Sequence, residues 1–182
     1  MSDIPRRLPG EPTRDEETSR MIRVDQAGEY GAVRIYEGQL AVLGARASGV
    51  PIRRMAAQEA THLEKFDRLM TGRRVRPTLL SPVWHMAGFA LGAATALMGE
   101  KAAMACTVAV EEVIDEHYAR QAERLADEDP ELSGLIEECR AEEVEHKQEA
   151  ESLGARETPG YPLLSGAIKA GSRLAIWLSS RV

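Results

Sequence analysis

Four stretches of this chain repeat apolar residues at the three-and-four spacing of an amphipathic helix, and each interrupts its own apolar stripe with acid. The first stripe reads Ile22, Asp25, Glu29, Val33, Tyr36, Leu40 and Leu43. The second reads Ile52, Met55, Glu59, His62, Phe66 and Leu69. The next two read Met104, Thr107, Glu111, Ile114, Tyr118 and Leu125, then Leu132, Ile136, Cys139, Glu143, His146 and Leu153. Burying carboxylates on converging seams costs several kcal/mol each unless something positive lies between them. No Lys or Arg occupies a seam position, so a metal is the simplest counter-charge. The pattern is that of a dinuclear carboxylate site: one Glu from each of two helices, and Glu-x-x-His from each of the other two. Glu29 precedes Glu59-x-x-His62 by 30 residues and Glu111 precedes Glu143-x-x-His146 by 32, so the ligand grammar is stated twice. The candidate metal ligands are therefore Glu29, Glu59, His62, Glu111, Glu143 and His146.

Sustained β-type alternation is absent, and Gly/Pro punctuation divides the chain into six helical segments. They run from about Glu16 to Ala47, Pro51 to Gly72, Pro82 to Met98, Glu100 to Ala126, Pro130 to Leu153 and Leu163 to Ser180. The expected architecture is all-α: a ferritin-like four-helix bundle with one additional apolar and one additional amphipathic helix. At 182 residues the chain suits one domain, 15–182, behind a flexible tail, 1–14. A net charge of -6 and only 4% aromatics argue against a nucleic-acid partner. Cys106 and Cys139 read as small buried hydrophobes in a reducing compartment. Residues 1–20 have no apolar signal core, which points to a cytoplasmic, bacterial protein.

Carboxylate-rich sites with only two imidazoles suit iron or manganese better than zinc, and two Fe ions in a dry helical box can reduce dioxygen. Around the ligands, Asp25 is expected to accept from the outer nitrogen of a metal-bound histidine, and Glu142 is a further candidate for that shell. Tyr118 is either a packed core residue or a catalytic one, through a substrate contact or electron relay. His117 and His85 fall outside the ligand set. Glu112, Glu116, Glu123, Glu138, Glu142, Glu145 and Glu149 align as solvated faces. The segment Pro82–Met98 carries no charge, Leu163–Ser180 is amphipathic, and Arg73, Arg74 and Arg76 are basic. Together they suggest a surface that meets a membrane and collects a hydrophobic substrate there.

The run Arg23-Val24-Asp25-Gln26-Ala27-Gly28-Glu29-Tyr30-Gly31-Ala32 resembles the first-helix signature of the demethoxyubiquinone hydroxylase family. So do Gln58-Glu59-x-x-His62, Arg76-Pro77-Thr78, Gly88-Phe89-Ala90-Leu91-Gly92 and Ala105-Cys106-Thr107-Val108-Ala109-Val110-Glu111-Glu112. The likeness extends from about Ser19 to Val182. Gln26 stands where many relatives carry His, outside the ligand set. The resemblance implies a di-iron monooxygenase of ubiquinone biosynthesis, peripheral on the cytoplasmic face of the bacterial inner membrane. Its substrate would be 2-polyprenyl-3-methyl-6-methoxy-1,4-benzoquinol (demethoxyubiquinol), with O2 supplying one oxygen to the ring and the other leaving as water. Glu29, Glu59 and His62 would hold one iron, Glu111, Glu143 and His146 the other, with Glu59 and Glu143 bridging. The quinol or NADH would supply two further electrons, and a lipid-binding partner protein and a homo-oligomer are compatible with this picture. Two competing readings use the same cage: a ferritin-like ferroxidase, and a quinol oxidase that reduces oxygen without inserting it.

Overall fold

Thr13 starts the first helix by a reciprocal cap: its Oγ1 accepts from the Glu16 N–H at 3.2 Å, and Glu16 Oε2 accepts from the Thr13 N–H at 2.7 Å. The computed structural model describes residues 10–182. Within them lie α1 (Arg14–Leu43), α2 (Gly49–Arg73), α3 (Ser81–Leu97), α4 (Glu100–Leu125), α5 (Pro130–Ser152) and α6 (Tyr161–Ser179), with a 3₁₀ turn at Ala155–Glu157. No strand occurs among the described residues. The expected helices are thus all present. The tail expected at 1–14 falls largely on 1–9, outside the described residues, and Arg14 already belongs to α1. The first helix stops at Leu43 rather than Ala47. Gly49, where a Cβ would crowd the carbonyl oxygens of Leu43 and Gly44, lets the chain turn back and begin α2 two residues ahead of Pro51.

The connections within α1–α2 and α4–α5 are short, so each pair packs as an antiparallel hairpin. Across the bundle, Arg73 at the end of α2 pairs with Asp129, whose Oδ1 also caps α5 by accepting from the Leu132 N–H at 3.2 Å. Arg73 therefore belongs to the bundle's own ion pairing, not to a free basic surface. The two remaining helices cover the hairpins from outside, α3 against α1 and α6 against α4. α3 approaches α1 through glycine: a Cβ on Gly92 would collide with the Ile35 carbonyl, and one on Gly38 with that of Phe89. Along α1, Ala32 and Gln39 are buried, Gln39 donating to the Ala103 carbonyl of α4 at 3.1 Å, while Val33 and Leu40 are only half-buried. Leu153, expected inward, is 43% exposed because α5 ends at Ser152 and Ala150 is its last inward side chain.

Apolar layers close the bundle at either end. One contains Tyr36, Leu43, Ile52, Met55, Met104 and Val108; the other contains Ile22, Phe66, Tyr118, Leu125, Leu132 and Ile136. The acids and imidazoles of the seams lie between them. Outside, apolar side chains remain at the surface of the covering helices, including Val83 and Met86 of α3 and Leu163, Leu174 and Trp177 of α6. Among the described residues, no helix is long and apolar enough to cross a membrane.

Candidate metal centre

Regular helix geometry carries Glu59 and His62 to one face of α2, and Glu143 and His146 to one face of α5, opposite Glu29 of α1 and Glu111 of α4. All six are at most 3% exposed. Their donor atoms gather in two groups, Glu29/Glu59/His62/Glu143 and Glu59/Glu111/Glu143/His146, with the atoms of each group within 4.8 Å of one another. Glu59 and Glu143 belong to both groups, where bridging carboxylates would stand.

The orientation of the imidazoles tests whether cations fit. His62 Nε2 lies 3.1 Å from Glu142 Oε2, and His146 Nε2 lies 3.0 Å from Gln58 Oε1. Gln58 Nε2 donates to Glu142 Oε2 at 3.4 Å, which turns the amide oxygen of Gln58 toward His146. Both Nε2 atoms therefore carry hydrogen, leaving the Nδ1 atoms to face the acids. His62 Nδ1 is 2.9 Å from Glu143 Oε1, and His146 Nδ1 is 3.1 Å from Glu59 Oε1 and 3.0 Å from Glu143 Oε2. Ring nitrogens aimed at carboxylate oxygens at such range require a positive species between them, a proton or a metal cation. Glu29 Oε2, Glu59 Oε1 and His62 Nδ1 have no partner in hydrogen-bonding geometry despite their close neighbours. Convergent donors that crowd without satisfying one another fit a pair of cations.

Protons respond to the same crowding. Burial raises the Glu29 carboxyl, and raises Glu59 and Glu111 well above the ordinary range, with the charge of Glu143 pushing each the same way. Burial would also raise Glu143, but the hydrogen bond with His146 and the close imidazole of His62 hold it down at about 2. Burial opposes charge on His62, yet Glu143 and Glu29 lift it to about 10.

The surrounding side chains repeat as the ligands do. Tyr118 donates to Glu29 Oε1 and stacks on Phe66, while Tyr36 donates to Glu111 Oε1 at 3.2 Å. Tyr36 follows Glu29 by seven residues, as Tyr118 follows Glu111, so each tyrosine serves the glutamate of the other hairpin. Tyr36 and Gln58 were not singled out from sequence, although the repeat that relates Glu29 to Glu111 would have paired them with Tyr118 and Glu142. Asp25 departs from expectation: its Oδ1 lies 3.2 Å from His117 Nε2, whereas the ligand histidines are served by Glu142 and Gln58. One helical turn before Glu29, the Asp25 side chain meets α4 rather than α2 or α5. His85, also outside the cage, bonds the Tyr30 hydroxyl at 2.6 Å. Cys106 and Cys139 are buried and free, and burial pushes the Cys106 thiol up to about 12.

An apolar cavity of about 370 Å³ lies between α1, α3, α4 and α6, lined by side chains such as Ala27, Ile35, Trp84, Leu91, Ile114 and Ile176. A second gap of about 10 Å³ shares Ala32, Ile35 and Val110 with it and is also bordered by Tyr36, Thr107 and Glu111. The buried Thr107 hydroxyl there has no partner. Tyr118 borders neither cavity.

A family model described as ubiquinone biosynthesis protein COQ7 matches residues 16–179. A protein of Rhodospirillum rubrum named 3-demethoxyubiquinol 3-hydroxylase is 59% identical over 177 residues, covering 97% of this chain and 84% of its own. The human protein named NADPH-dependent 3-demethoxyubiquinone 3-hydroxylase, mitochondrial, is 53% identical over 167 residues, 90% of this chain and 77% of its own. The Saccharomyces cerevisiae 5-demethoxyubiquinone hydroxylase, mitochondrial, is 39% identical over 180 residues, again 90% and 77%.

Proposed function

This chain belongs to the COQ7 family of ubiquinone biosynthesis proteins, and from that premise we propose that it is a di-iron monooxygenase converting demethoxyubiquinol to its 3-hydroxylated product. The hydroxylase names of its relatives support the reaction type. The observation that carries the finer reading is the wall shared by the apolar cavity and the small gap beside Glu111. A hydrophobic quinol held by α1, α3, α4 and α6 would present its ring toward the cage, not toward solvent.

In this reading Glu29, Glu59 and His62 would hold one iron and Glu111, Glu143 and His146 the other, with Glu59 and Glu143 placed within reach of both. When bound, the iron pair supplies reductive activation of dioxygen. The reaction combines quinol, O2, two electrons and two protons, giving hydroxylated quinol and water when a nicotinamide donates the electrons; when the substrate quinol donates them itself, the product is the hydroxylated quinone and water. The chain's own residues organise the rest. Tyr118 and Tyr36 hold Glu29 and Glu111 by their hydroxyls, and Tyr118 acts on the centre through Glu29. The apolar layers exclude water, so charge at the centre is not screened. The Thr107 hydroxyl offers a hydrogen bond at the gap, beside the reacting face.

The apolar surface of α3 and α6, with Trp177 stacked on Arg181 at 3.7 Å, supports peripheral attachment to a bilayer. Arg74 and Arg76 are exposed on the same α2–α3 connection as Leu79. A quinol drawn from the membrane would enter between those helices; a lipid-binding partner and self-association are compatible additions.

The test is anaerobic iron loading followed by demethoxyubiquinol, a reductant and isotopically labelled dioxygen. The expected product carries one labelled oxygen. Unmodified quinol from protein holding two irons per chain would overturn the hydroxylase reading. Labelled water without labelled product would favour an oxidase.

A further inference from the structure

From the Gln58–Glu142 pair we infer that the two metal positions are unequal by construction, the His62 position being the stronger and Glu142 its positioning residue. The inference rests on the reading of the cage as a two-metal centre. It also says which position is which.

Gln58 and Glu142 occupy matching places, each one residue before the glutamate of its own Glu-x-x-His. Each reaches across the α2–α5 interface to the histidine of the other helix, and the two bond each other, so the four side chains form one polar clasp. The acceptors differ in charge. The Glu142 carboxylate, one-third exposed, takes the His62 Nε2 hydrogen; a neutral amide oxygen takes that of His146. Charge-assisted hydrogen bonds are roughly twice as strong as neutral ones. A carboxylate acceptor also makes the imidazole a better donor at its other nitrogen. The ion at His62 is therefore held more tightly. The ion at His146 is the more electron-poor, and it stands with Glu111 on the side of the small gap, where Tyr36 and Thr107 also lie.

The full chain is titrated anaerobically with Fe(II) by calorimetry in two backgrounds: His146→Gln, which leaves the His62 position, and His62→Gln, which leaves the other. Glu142→Gln keeps the shape of the clasp and removes its charge. It should weaken iron about tenfold or more in the first background and less than about threefold in the second. The exchanged pair Gln58→Glu with Glu142→Gln, which keeps one amide and one carboxylate in the clasp, should tighten iron in the second. Equal shifts in both backgrounds, or none, would overturn the assignment. A second readout needs neither histidine variant: the Mössbauer spectrum of the fully loaded wild-type chain should contain two distinct iron environments that converge in Glu142→Gln. A spectrum unchanged by the substitution counts against the inference while leaving the two-metal reading intact. Failure of the wild-type chain to take up iron would overturn both.

Discussion

The α1–α2 and α4–α5 hairpins state the same ligand pattern, yet their surroundings differ at corresponding places. Four residues before its cage glutamate, the first hairpin has Asp25, engaged by His117; the second has Thr107, unpartnered at a gap. Tyr118 is packed on Phe66 at the apolar end of the bundle, whereas Tyr36 borders the gap. The covering helices differ too, since α3 is pressed onto α1 through glycine and a Cβ on Gly166 or Gly171 of α6 would meet nothing. The lesson is a division of labour. The inner six residues are near-symmetric, as two like cations would demand, and the next layer breaks that symmetry, which on the proposed reading would give the centre one substrate side.

The largest effect should be blind to the difference between halves. Glu59→Gln and Glu143→Gln each alter a carboxylate common to both metal groups, so each should lower activity and metal content together, on the order of 100-fold or more. Metal analysis alongside turnover checks this, and a large loss in only one variant would break the symmetry of the inner cage.

Metal removal should expose the protons that stand in for cations. Without metal, Glu29, Glu59 and Glu111 titrate above their ordinary 4.5, so the folded state binds more protons than the unfolded chain and stability falls as pH rises from about that value. His62, raised from 6.5 to about 10, adds stability that is complete below 6.5 and lost as pH climbs through 10. Glu143 has the opposite sign: its contribution is present above 4.5 and lost as pH falls toward 2. Melting temperatures of the metal-free chain should therefore peak in mild acid and decline toward alkaline pH, and saturating metal should flatten the decline. A metal-free melting temperature that climbs from pH 5 to 9 would contradict the crowded cage.

The covering helices give a smaller contrast. Gly92→Ala should cost about 1–3 kcal/mol by forcing α3 off α1, whereas Gly171→Ala on α6 should be close to neutral or slightly stabilising, as read by denaturant melts. Smallest is the tyrosine pair. Tyr36→Phe and Tyr118→Phe each remove one buried hydrogen bond worth about 1 kcal/mol. Tyr36→Phe should also raise the KM for quinol, because only Tyr36 borders the gap. Equal kinetics for the two variants would mean that the gap is not the substrate side.

The helices were legible because apolar spacing and Gly/Pro punctuation are local signals, and Leu153 was misplaced where only the last turn of a helix decided the matter. The six cage residues were legible for a different reason: acid on an apolar seam is too costly to leave uncompensated. Asp25 was legible as buried but not as the partner of His117, since periodicity assigns a residue to a face and not to a neighbour. Gln58 was hidden by its neutrality, and Arg73 looked like free surface charge until Asp129 met it across the bundle.

By itself, the order of residues determined that four helices must bury carboxylates together, because a 3.6-residue repeat leaves those side chains nowhere else to point. Only the packed structure decided which histidine faces a charge and which an amide, and on which side a cavity meets the cage. Those outcomes depend on how helices distant in sequence settle against one another, through glycine contacts and side-chain lengths that no single helix encodes.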